Sequence, residues 1–217
     1  VKMGEKEVDT NVVSIIGEIF SPLEFSHEMY GEGFYTFHIK IPRLSKYNDI
    51  LPETISERLI MGMDLMRGDS VKIAGQLRSY NKYIDDGNRL ILTIFVQDIC
   101  NCDEDEDIKN PNQIFLDGYI CKKPVYRSTP FGREITDMLI AVNRPYNKSD
   151  YIPCIAWGRN ARYSEKLKVG DHIRLWGRIQ SREYQKKLSE EKTVSKMAYE
   201  VSVSKMEVFE DGNNREN

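Results

Sequence analysis

Apolar residues recur along most of this chain at every second position, the spacing of half-buried β-strands rather than helices. The run ending near residue 209 is the clearest case, because Met197, Tyr199, Val201 and Val203 fall on one face. Strands are predicted in the second half at about 113–123, 135–143, 150–157, 172–184 and 197–209. The matching segments of the first half are about 12–21, 33–41, 49–56, 70–80 and 89–98. Gly132 marks a hairpin turn between the first two strands of the second half. One helix is predicted there, from Arg159 to Lys168, with Gly170 as its C-terminal cap.

The halves repeat one another. Asp49-Ile50-Leu51-Pro52 parallels Asp150-Tyr151-Ile152-Pro153, Arg43 parallels Arg144, Arg58 parallels Arg159, and Gly17 parallels Gly118. The segment Gly68 to Gly75 then parallels Gly170 to Gly177 after one residue has been gained. Three strands, a short helix and two strands is the order of an OB-fold, a five-stranded Greek-key barrel. The chain is therefore expected to be all-β, with two tandem OB-folds that each carry one short helix. The expected division is a first barrel over 1–100, an acidic linker over 101–111, a second barrel over 112–210 and a flexible tail over 211–217.

A length of 217 residues suits two domains, and 40% hydrophobic residues supply cores for both, which excludes wholesale disorder. No stretch reaches the roughly 20 apolar residues of a membrane span, and the first residues lack an apolar signal core. A cytoplasmic location is expected. Cys100, Cys102, Cys121 and Cys154 lack the paired spacing of a zinc site and are expected to be buried free thiols, with no metal or other cofactor. The net charge of -3 conceals an asymmetry. Residues 1–100 carry 11 basic and 15 acidic side chains, residues 101–107 carry none and 5, and residues 108–217 carry 20 and 14. The five acids are the run Asp103 to Asp107, a solvated linker because like charges resist burial. Only the second half has the positive balance expected of an anion-binding partner.

Binding a single nucleic-acid strand takes cations that follow the phosphates and flat side chains that stack on bases. The second half interleaves the two. Arg144 and Tyr146 close its second strand, Tyr151, Trp157 and Arg159 lie along and just beyond its third, and Arg178, Arg182 and Tyr184 lie on its fourth. Tyr151 and Trp157 share a strand face opposite Ile152 and Cys154. A small barrel has a single inside, so one of these faces points outward, and the aromatic one is expected to be the ligand face. Trp176 fits an exposed position or an oligomer contact equally well.

Residues 112–209 resemble a bacterial single-stranded-DNA-binding protein. The resemblance rests on Tyr126-Arg127-Ser128-Thr129-Pro130-Phe131-Gly132, Ala141-Val142-Asn143-Arg144-Pro145, Asp150-Tyr151-Ile152-Pro153-Cys154 with Trp157-Gly158, and Gly177-Arg178-Ile179-Gln180-Ser181-Arg182. It implies base stacking by Tyr151, Trp157 and Tyr184, with Tyr146 a further candidate, and phosphate contacts from Arg144, Arg159, Arg178 and Arg182. It also implies single-stranded DNA as partner and service in replication, recombination or repair. The family commonly brings four barrels together, which two copies of this chain would supply as a homodimer. Its acidic, phenylalanine-tipped tail is not matched by Asn213 to Asn217, so either the tip is absent or the sequence is truncated, and recruitment of the usual tail partners stays open.

The first half departs from this pattern. Ile50 and Ser56 stand where the second half has Tyr151 and Trp157, so weak or no DNA binding is expected of it. Arg78, Tyr80, Lys82 and Tyr83 remain as contacts on its fourth-strand hairpin, and Phe34, Tyr35 and Phe37 suit core or platform equally. No catalytic constellation is present, so no enzyme is expected. The competing readings are a primosome-like protein-interaction module and an RNA-binding OB protein, since stacking and phosphate contacts do not tell DNA from RNA.

Overall fold

The computed structural model describes residues 9–84, 87–102, 109–190 and 192–209. The acidic run Asp103–Asp107 and the expected tail 211–217 lie outside the described residues. The first half comprises β1 (Asn11–Ile19), β2 (Glu24–Met29), β3 (Glu32–Pro42), β4 (Asn48–Ser56), α1 (Glu57–Ile60), β5 (Ser70–Ile84) and β6 (Gly87–Asn101). The second comprises β7 (Asn112–Ile120), β8 (Val125–Ser128), β9 (Glu134–Arg144), β10 (Lys148–Trp157), α2 (Arg159–Ser164), β11 (His172–Lys187) and β12 (Thr193–Phe209).

Each half closes on itself. In the first, β1, β3, β4, β6 and β5 follow one another around a ring, and the β1–β3 pairing Ile19 with Ile39 seals it. In the second, β7, β9, β10, β12 and β11 do the same, sealed by Ile120 opposite Ile140. This is the strand order of an OB-fold, so the chain is all-β with two tandem OB barrels. Period-2 alternation explains the closure: Val13, Ile15 and Ile19 of β1 and Ile152 and Cys154 of β10 turn inward, and all are buried. Both barrels kink at a bulge, after Ala74 and after Trp176. A Cβ on Gly177 would lie 2.1 Å from the Ser202 carbonyl oxygen, so only glycine fits at that close approach.

Two strands escaped the sequence pattern. β2 and β8 are short and add to β3 and β9 as edges. Every residue of β2 is exposed, so it carries no inward-facing period. Gly132 (φ +73) accordingly turns the β8–β9 hairpin, and β7 connects to β8 over Cys121–Pro124. The helix α2 ends at Ser164, earlier than predicted, because the chain tightens into i→i+3 hydrogen bonds at Lys166 and Leu167. Of the four cysteines only Cys154 is buried, whereas Cys100 is exposed. Cys100 sits on β6 next to the buried Ile99, so the pleat turns it outward.

The barrels join through antiparallel pairing of β1 with β7, from Asn11 opposite Leu116 to Ile15 opposite Asn112. Two further sets of contacts repeat with pseudo-twofold symmetry, the first within each barrel and the second between the barrels. The Asn11 side chain brackets the Leu77 backbone at 2.7 and 2.9 Å, as Asn112 brackets Ile179 at 2.7 and 2.9 Å. Asp49 accepts from the Ser181 backbone N–H at 3.0 Å, and Asp150 accepts from that of Ser79 at 2.8 Å. The hydroxyl groups of Ser181 and Ser79 accept in return from the backbone N–H groups of Ile50 and Tyr151, at 3.0 and 2.7 Å. Among the described residues, no helix is long and apolar enough to cross a membrane.

Candidate nucleic-acid interface

The register of β10, β12 and β11 determines what reaches the outside of the second barrel. Ile155 stands beside Ser202 on β12, and Ser202 stands opposite Arg178 on β11. Cross-strand partners share a face. The outer face therefore holds Tyr151 and Trp157 from β10, Ser202 and Glu200 from β12, and Arg178, Gln180, Arg182 and Tyr184 from β11.

Tyr151 is 42% and Trp157 37% exposed, while Ile152 and Cys154 between them are at most 2% exposed. The aromatic face is thus the outside. Six residues separate the two rings along the strand, about 20 Å at roughly 3.3 Å per residue. The indole N–H of Trp157 donates to the Ser202 hydroxyl at 3.1 Å, which fixes the ring across the neighbouring strand. Gly158 follows with φ +55, a conformation open to glycine, and turns the chain from β10 into α2. Arg159 begins that helix, is exposed, and forms no ion pair among the described residues.

The other three predicted cations are engaged. Arg144 lies 3.1 Å from the buried Asp150 carboxylate. Arg178 lies 3.3 Å from Asp49 of the first barrel and donates to Gln180 at 3.1 Å. Burial lowers the Arg178 guanidinium pKa, and nearby Arg43 adds to this, although Asp49 opposes it. Burial raises the Asp150 carboxyl, against the pull of the Ser79 N–H and of Arg144 and Arg78. Arg182 donates to Glu200 at 3.4 Å but leaves half its side chain in solvent. Sequence spacing could not reveal the pairing of Arg178, because Asp49 belongs to the other half of the chain.

Tyr184 lies on the outer row of β11, opposite Lys196, and lines a groove with Met197 and with Leu90 and Leu92 of the first barrel. Tyr146 stands apart. It is almost wholly exposed at the tip of the β9–β10 turn, where Tyr146 (φ +64) and Asn147 (φ +54) reverse the chain. The structure therefore brings Tyr151, Trp157, Arg182 and Tyr184 onto one face and leaves Tyr146 at its end.

One further cation, which the sequence offered only within the Tyr126–Gly132 motif and not as a contact, borders this face. Arg127 on the edge strand β8 lies beside Ile135, which is opposite Trp157, and donates to Asp137 at 2.8 Å. Trp176 lies on a different surface. Its ring contacts Phe115 at 5.2 Å, and Tyr119, His172 and Phe209 form a second row of rings nearby, at 4.8 and 4.9 Å. Asp117 joins that row, held 2.5 Å from His172 and 2.7 Å from Arg174. Burial would raise its carboxyl, but hydrogen bonds from His172 and Arg174 prevail and lower it.

Residues 111–209 match the model of the single-strand binding protein family. That match falls on the second barrel, from the start of β7 to the end of β12. Family likeness also appears in two curated relatives. The single-stranded DNA-binding protein of Halalkalibacterium halodurans is 34% identical over 80 residues, which covers 34% of this chain and 48% of the relative. Single-stranded DNA-binding protein A of Bacillus subtilis is 33% identical over 81 residues, covering 34% and 47%. The chain thus spans about half the length of the curated relatives it matches. The crystal structure of wild-type single-stranded DNA binding protein from Thermus aquaticus superposes with a TM-score of 0.75 at 16% identity. That match covers 95% of this chain and 96% of the other, so the shared fold extends over both barrels.

Proposed function

We propose that this chain binds single-stranded DNA without sequence preference in the cytoplasm, in the service of replication, recombination or repair. The observation that carries this reading is the outward placement of Tyr151 and Trp157 on β10, on a face shared with Arg182 and Tyr184. Bases stack on the rings, and Arg159 and Arg182 reach the phosphates. Tyr146 extends the path past the end of β10. Arg144 and Arg178 act on the same surface less directly, since their carboxylate partners hold the strands that present the rings. The second barrel, with its positive balance, is the principal binding unit. The names of the Halalkalibacterium and Bacillus relatives support the choice of DNA over RNA.

The test is titration of a fluorescently labelled dT oligonucleotide at two salt concentrations, alongside Trp157→Ala and Tyr151→Ala. Salt-sensitive binding that either substitution weakens by about 1–3 kcal/mol is the expected result, the range for one stacked base. Absence of binding at low salt would overturn the reading.

The chain is further proposed to pair as a homodimer, giving four barrels. The exposed rings of Tyr119 and Phe209 support this, with Phe115 and Trp176 across the charged row of Asp117 and Arg174, and Val12 of β1 opposite Phe115. Light scattering that returns a concentration-independent monomer mass would refute this.

A further inference from the structure

The first barrel lacks rings at the two β10 positions, but its outer face is not bare. In the second barrel Ile155 stands beside Ser202, and Trp157, two residues on, donates to Ser202. In the first, Thr54 stands beside Phe95, and Ser56 comes two residues on. The aromatic side chain has thus crossed to the neighbouring strand: serine holds the tryptophan position, and Phe95 holds that of Ser202. A second ring accompanies it. Phe34 is opposite Ser56 as Ile135 is opposite Trp157.

These rings form a built surface. Phe34 and Phe95 lie 6.1 Å apart, His27 stacks on Phe34 at 5.0 Å, and the Arg78 guanidinium lies over Phe95 at 3.9 Å. They floor an open cleft of about 620 Å³, edged by Glu32, Arg58 and Gln97. Its size is that of a small-ligand site, with an aromatic floor whose two rings tilt 35° to one another and polar groups at the rim that suit the edge of a base.

We propose that this cleft is a second nucleobase-stacking subsite, with Phe34 and Phe95 as its platform and Arg58 as the cation for the adjoining phosphate. The proposal rests on the single-stranded-DNA reading above. Glu32 moderates the subsite, because its carboxylate accepts from Arg58 at 2.8 Å and from the Ser56 hydroxyl. An incoming phosphate must displace that carboxylate, so this barrel binds more weakly than the second. The second barrel carries Arg133 at the corresponding place, two residues before Ile135, where the charge favours DNA.

The test uses the full chain with dT oligonucleotides carrying 5-iododeoxyuridine, one of about 10 nucleotides and one of about 30, since an OB barrel takes about 4–16. After irradiation the long strand is expected to crosslink to peptides containing Phe34 or Phe95 as well as to β10. Phe95→Ser should weaken binding of the long strand about five-fold or more and spare the short one. Glu32→Gln should tighten binding of the long strand, a gain that misfolding cannot produce. Binding with crosslinks confined to the second barrel, and with both variants matching the unaltered chain, would overturn this proposal alone. Failure of either strand to bind would overturn it together with the DNA reading.

Discussion

The Asp49 carboxylate of the first barrel accepts a hydrogen bond from the Ser181 backbone N–H of the second at 3.0 Å. Asp150 and Ser79 make the reciprocal contact at 2.8 Å, and both aspartates are buried. Removing one partner of a buried charge network leaves the other uncompensated, at about 3–5 kcal/mol. Asp150→Ala should therefore lose about that much stability in urea unfolding, since Arg144 and the Ser79 N–H are both stranded. Asp150→Asn should lose clearly less, because its amide oxygen still accepts from Ser79. Equal losses in the two variants would count against this account.

Arg144 and Arg159 should separate in their responses, although sequence alone gives them the same role. Arg159 is exposed and forms no ion pair among the described residues, whereas Arg144 faces a buried carboxylate. Each phosphate contact on a single strand contributes about 0.7 to the slope of log K against log salt. Arg159→Ala should reduce the slope by about that amount with unfolding unchanged. Arg144→Ala should lower the urea midpoint and leave the slope nearly as it was. A full loss of slope in Arg144→Ala would return that residue to the phosphate path.

The contrast between these arginines shows where the sequence was legible. Both barrels, their repeat and the exposed face of Tyr151 and Trp157 follow from local alternation, which a strand imposes on its own residues. The partners of Arg144 and Arg178 do not, because Asp150 and Asp49 act across strands and barrels. Nor does the strand-to-strand move from Trp157 to Phe95, since its logic lies in the parallel register of β4 with β6 rather than in spacing along the chain. β2 escaped because a fully exposed edge strand needs no apolar face.

Trp157 should depend on Ser202 for orientation but not for contact area. The hydroxyl accepts from the indole N–H at 3.1 Å, and one such hydrogen bond is worth about 0.5–1.5 kcal/mol. Stacking on the ring is worth about 1–3 kcal/mol. Ser202→Ala should therefore weaken dT binding by less than Trp157→Ala, and combining the two should add little beyond Trp157→Ala alone. Full additivity in that double-mutant cycle would mean that the serine acts on DNA independently of the ring.

Glu53 makes the first barrel sensitive to pH. It sits in the core where the second barrel has Cys154, fully buried, and neither carboxyl oxygen has a hydrogen-bond partner. Burial disfavours the charged form and raises its pKa well above the ordinary glutamate value. The folded chain therefore keeps a proton that the unfolded chain releases above about pH 4.3. The unfolded state then binds fewer protons, so stability is full below that pH and falls as pH rises, until the buried group itself ionises. Glu53→Leu removes the titrating group and fills the site with apolar atoms. It should unfold at higher urea than the unaltered chain at pH 8, and the gap should narrow at pH 5. A gap that is constant across this range, or one that widens toward acid, would show that Glu53 is not held as the neutral acid.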